Sequence, residues 1–202
     1  ALALEPGMEP AASLLKTLLS NQATAARRRG DIAAAAAAYR DAAACFPDDT
    51  ALQLEQARAL HALGDHHGAL QAVMLALHAE DTALPARQLF VRLLGRLSPL
   101  PADPALLQEV ERCFDCTALD LQQLNRPVMK ILDAMPRFRE MLSLAAGRDL
   151  DALGKGIEAG RYDDVLLNPI FRKALRKTLF CDAAFETLLR ALRSLFLHGA
   201  RT

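Results

Sequence analysis

Cys113-Phe114-Asp115-Cys116 has the clearest chemical potential of any short pattern in this chain. Two thiolates at Cys-x-x-Cys spacing can clasp a metal ion or cycle as a dithiol. A structural zinc site needs four ligands, however, and no second pair of this kind occurs. A thioredoxin-type dithiol needs a strand before it, and this composition offers none. The two residues therefore read as ordinary cysteines near a helix end. His61, His66, His67 and His78 crowd one segment, and neutral imidazoles one helical turn apart could bind a divalent metal. His66 and His67 are adjacent and point in different directions, and no His-Glu-x-x-His pattern is present, so they read as surface histidines. Gly154-Lys155-Gly156 lacks the rest of a phosphate loop, and its glycines are expected to weaken or end a short helix. No serine, histidine and acid constellation stands out. The sequence thus assigns no catalytic residue, no metal site and no cofactor.

The elements that would carry these residues are helices. Ala occurs 39 times and Leu 38 times in 202 residues, whereas Trp is absent and aromatics make up 5%. Ala and Leu are the strongest helix formers, and residues that favour strands are scarce. The expected class is all-α. With 24 basic and 24 acidic residues the net charge is zero, so no attraction of the whole molecule to nucleic acid is expected. The longest uncharged run, His66 to Ala79, is 14 residues and too short to span a bilayer as a helix. The first ten residues lack a signal peptide's basic start and apolar stretch. Four cysteines without a dense framework fit a reducing compartment. These features together suggest a soluble cytoplasmic protein with no membrane partner.

Ile32, Ala35, Ala36, Tyr39, Ala42, Ala43 and Phe46 recur at the spacing of one helix face. Gly30-Asp31 before them suits a turn and an N-cap, and Pro47-Asp48-Asp49 after them stops the helix. Gly64-Asp65 repeats Gly30-Asp31 at a spacing of 34, again between two helical stretches. A helix–turn–helix period of 34 residues is the signature of the tetratricopeptide repeat. Gly30, Ile32, Ala35, Tyr39, Ala42 and Pro47 resemble that family's turn glycine, small packing residues, aromatic and closing proline. Gly64, Ala69 and Ala76 match in the second unit, where Val73 replaces the aromatic and Asp81 the proline. A third, degraded unit runs through RQLFVRLLGRL, a proline-rich break and ALLQEVERCF. Residues 11–115 are thus expected to form a solenoid of about three helix pairs, and residues 117–198 a helical C-terminal subdomain of five short helices.

The second half has its own resemblance. Asn168-Pro169, Phe171, Leu175, Asp182, Glu186, Leu188, Leu189, Leu192 and Arg193 are similar to the helical region ahead of the catalytic domain in bacterial tetratricopeptide-containing methyltransferases that use S-adenosylmethionine. No strand with a glycine-rich cofactor loop occurs in this chain.

In the repeat family the first helix of each pair lines a concave surface that binds extended peptides. Carried over on the 34-residue period, Arg58 and Arg92 are equivalent, and Arg28 and Arg96 share another position. Arg27, His61 and Gln88 fall on the same expected face. The row could cradle an acidic segment or a terminal carboxylate, or it could be an ordinary solvated face. The family's best-known carboxylate clamp does not carry over, since Ser20 and Thr24 stand in place of its Lys and Asn. The expected function is a non-catalytic module that binds a protein or peptide, with the option of recruiting it to a methyltransferase. Two alternatives stand beside it. One is a cofactor- or substrate-binding part of such an enzyme. The other is a nucleic-acid binder using the seven basic residues between Pro169 and Thr202. Ala33, Ala34, Ala37 and Ala38 would leave a smooth outer face suited to self-association.

Overall fold

The computed structural model describes residues 9–77, 80–101, 103–177 and 182–199. All its regular elements are helical, and no strand occurs among the described residues. No described helix is long and apolar enough to cross a membrane. The chain divides into two compact units, with the boundary between Leu97 and Ser98.

The first unit carries α1 (Glu9–Arg28), α2 (Ile32–Cys45), α3 (Thr50–Leu63), α4 (His66–Ala76) and α5 (Glu80–Arg96). Each helix packs on the next, and α3 also packs on α5. The reason for the alanine tract is visible in α2, where Ala35, Ala36, Ala38, Ala42 and Ala43 are buried beside Tyr39. Small side chains let neighbouring helices approach closely. Ala38 is therefore a core residue, which corrects its expected place on the smooth outer face; Ala33, Ala34 and Ala37 are exposed.

The two turns 34 residues apart are built alike. Gly30 and Gly64 have φ of 79° and 85°, a left-handed conformation that side chains other than glycine disfavour. The next amide then reaches back to close the helix end, Asp31 to the Ala26 carbonyl and Asp65 to that of Leu60, both at 3.0 Å. Each aspartate caps the following helix as well, accepting from Ala34 N at 3.0 Å and from Gly68 N at 2.9 Å. A third cap, Asp49, accepts from Leu52 N at 3.1 Å and pairs with Lys16 of α1. Burial raises the Asp49 carboxyl, but the Lys16 ammonium and the backbone donors outweigh it and hold it below its ordinary value. Buried Gln53 fixes the same corner by donating to the Pro47 carbonyl at 3.2 Å.

The second unit carries α6 (Pro104–Cys113), a short 3-10 turn (Leu121–Leu124), α7 (Asn125–Asp133), α8 (Pro136–Ala146), α9 (Leu150–Glu158), α10 (Asp163–Leu166), α11 (Pro169–Lys177) and α12 (Ala183–Gly199). The five expected helices are present, and α10 is an additional single turn. The boundary after Leu97 leaves α5 in the first unit and α6 in the second, where α6 packs on α11. Phe138, Phe171 and Phe185 form the aromatic centre of this core, with ring centroids 6.0–6.2 Å apart. Asn168 caps α11 by accepting from Ile170 N and Phe171 N at 2.9 and 3.2 Å, and Asp182 caps α12 by accepting from Phe185 N at 2.9 Å.

One expectation changes here. Gly154 and Gly156 do not end a helix; they lie within α9. Gly156 is buried directly against the ring of Tyr162, and Gly154 faces Leu195. Both glycines therefore give room for close packing. On α12, Phe185, Leu188 and Leu192 are buried, whereas Phe196 is 61% exposed and Leu195 is half-buried.

Candidate functional site

The expected basic row separates into two parts. Arg27 of α1 and Arg58 of α3 do come together, but around a carboxylate that the sequence reading overlooked. Glu55 lies one turn before Arg58 and accepts from it, while Arg27 Nη1 donates to Glu55 Oε2 at 3.0 Å. The three side chains border a small hollow of about 50 Å³ whose other walls include Ile32, Ala35 and Tyr39. Tyr39 Oη lies 3.4 Å from Thr24 Oγ1. One negative charge shared between two guanidinium groups leaves this end of the row much less positive than a residue count suggests.

The other part is His61, Arg92 and Arg96. His61 ends α3 half-buried, with its Nδ1 3.3 Å from that of His66 and the rings 5.2 Å apart. Burial lowers the basicity of His61, and His66, Arg92 and Arg96 lower it further. The two arginines are one helical turn apart on α5, the helix that packs on α3, and their charges are felt at the ring. Arg92 and Arg96 are exposed and make no ion pair among the described residues. An acidic group arriving here would meet two unneutralised guanidinium groups and an imidazole whose protonation it would favour. Arg28 and Gln88 are exposed and engage none of the other predicted residues.

The remaining candidates take structural places. Cys113 is fully buried in the last turn of α6, Cys116 is half-buried in the following turn, and the two are unlinked. No group of His, Cys, Asp and Glu among the described residues could hold a metal ion. His66 opens α4 against His61, His67 is exposed, and His78 lies outside the described residues.

The basic C-terminal segment is likewise divided. Lys173 and Lys177 of α11 both grip Asp115, each at 2.6 Å, and donate at 3.2 Å to the carbonyls of Glu111 and Phe114. Those carbonyls belong to the C-terminal end of α6, where a cation is favoured by the helix dipole. The two ammonium groups hold the Asp115 carboxyl down at about 2. Arg190 pairs with Glu186 at 3.1 Å. Three of the seven basic residues are thus engaged within the fold, and Arg201 lies outside the described residues.

No protein-family model matches the chain, no curated protein matches it, and no solved structure matches its fold.

Proposed function

We propose that this chain is a non-catalytic protein–protein interaction module of tetratricopeptide-like build that takes an acidic peptide segment on the face shared by α3 and α5. The observation that carries the reading is the placement of Arg92 and Arg96, exposed, unpaired and close enough to His61 to depress its basicity. Two guanidinium groups one turn apart suit two carboxylates on an extended peptide, since each can donate a parallel pair of hydrogen bonds. Exposed ion pairs add little affinity individually, so the arginines chiefly steer encounter and set register.

The test is a fluorescence anisotropy titration of the whole chain with a labelled glutamate-rich peptide and a lysine-rich control. Binding is expected for the acidic peptide alone. Arg92→Glu with Arg96→Glu should weaken it about tenfold or more. Arg27→Glu with Arg58→Glu should weaken it less, because Glu55 already offsets part of the charge at that end. Equal binding of both peptides, or no effect of the α5 reversals with helicity intact, would overturn the reading.

Recruitment of the bound partner to a methyltransferase rests on the resemblance of the C-terminal half alone. Asn168 and Asp182, which carry part of that resemblance, are helix caps, and Phe171, Leu188 and Leu192 are core residues.

A further inference from the structure

The second unit has an apolar groove of about 410 Å³ bordered by α10, α11 and α12. Leu166, Leu175, Leu189 and Phe196 line it, and Phe196 and Leu175 are 61% and 41% exposed. Around them stand Arg172, Arg176 and Arg193. The cations of α11 sort into two pairs, each spaced by one helical turn. Lys173 and Lys177 are consumed by Asp115 and the end of α6. Arg172 and Arg176 lie on the groove side, exposed and without an ion pair among the described residues, and so does Arg193 of α12.

From this separation we infer that the α11–α12 groove is a docking site for an acidic amphipathic helix of a partner protein. A helix laid in such a groove buries apolar residues at i, i+3 or i+4, and i+7. Its flanking carboxylates would meet the three arginines, which no carboxylate of the described chain satisfies. The apolar floor supplies burial, while the arginines choose glutamate- or aspartate-bearing helices over basic ones. This surface is independent of the α3–α5 face, so either assignment can stand without the other.

The probe is a synthetic helical peptide with leucines at i, i+3, i+4 and i+7 and flanking glutamates, titrated into the whole chain by calorimetry. The controls are the same peptide with lysines for glutamates, a peptide with its leucines redistributed at period two, and vesicles with and without anionic lipid. The glutamate helix is expected to bind at least about tenfold tighter than either control peptide. Arg172→Glu with Arg176→Glu should reduce that binding about tenfold or more, and Phe196→Ser should reduce it with the parent's thermal melt preserved. Because all three positions are exposed, loss of binding can be separated from loss of folding by circular dichroism. Equal affinity for the glutamate and lysine helices would overturn the proposal. So would binding to anionic vesicles without the peptide preference, which would make the groove a membrane surface. A concentration-dependent dimer abolished by Phe196→Ser would also overturn it, assigning the groove to a second copy.

Discussion

His61 Nδ1 and His66 Nδ1 face each other at 3.3 Å across the turn between α3 and α4. At that distance one ring nitrogen must donate and the other accept, so two imidazolium rings there would repel. Burial first, then His66, Arg92 and Arg96, push the basicity of His61 below its ordinary value. The folded chain thus takes up this proton at lower pH than the unfolded chain does. Its contribution is fully present above about pH 6.5, the ordinary histidine value. It is lost as pH falls below that value through the folded one.

The prediction is a fall in urea midpoint for the parent between pH 8 and pH 5, and a smaller fall for His61→Gln. Equal falls in the two proteins would remove His61 as the source. Addition of an acidic ligand at the α3–α5 face should raise the His61 titration midpoint, read from its ring proton shifts by NMR.

Asp115 offers a second titration of the same sign at lower pH. Its carboxyl is held at about 2 by Lys173 and Lys177, so it contributes stability above about pH 4, the ordinary aspartate value. That contribution disappears as pH falls through the folded value. Asp115→Asn is expected to lower the thermal midpoint at pH 6 and to have little effect at pH 2. A carboxyl carbon titrating near 4 would show that the two lysines do not grip it in solution.

Gly156 provides a packing test. A Cβ at this position would fall well inside van der Waals contact with the buried Tyr162 ring. Overpacking costs about 1–3 kcal/mol, against a gain of roughly 1 kcal/mol in helix propensity for alanine. Gly156→Ala should therefore be net destabilising, by up to about 2 kcal/mol in chemical denaturation. It should also disturb the 3.2 Å bond from Tyr162 Oη to Glu140. A neutral or stabilising result would mean the ring moves aside freely.

Arg148 has φ of 57° in a turn that closes as the two glycine turns do, with the Asp149 amide reaching the Leu144 carbonyl at 3.0 Å. Where Gly30 and Gly64 stand in those turns, this one has an exposed arginine. Arg148→Gly is expected to stabilise the chain by about 0.5–1 kcal/mol, relief of the left-handed strain exceeding the added freedom of the unfolded chain. A loss of stability would point to a contribution from the arginine side chain.

The all-helical class and most helix boundaries were legible because their causes are local. The spacing of Ile32, Ala35, Tyr39 and Ala42, the Gly-Asp turns and the caps at Asp31, Asp65, Asn168 and Asp182 each involve neighbours within a few residues. Glycine's place in α9 was not legible, since Gly156 answers to a Tyr162 ring that only the folded turn brings over it. Nor was the exposure of Phe196, because periodicity identifies an apolar stripe without saying how far along it a partner helix extends.

Charge is the clearest case. Residue order along the chain is enough to show that arginines recur along the first unit and that the last helices are rich in basic residues. Tertiary structure decided which of those charges are available. Glu55 meets Arg27 across 28 positions, and Asp115 meets Lys173 and Lys177 across 58 and 62. Such pairs form between helices that the chain path brings together, and Coulomb attraction acts on distance in space. Arg92, Arg96, Arg172, Arg176 and Arg193 are left unneutralised for the same reason: no carboxylate of the described chain is placed beside them.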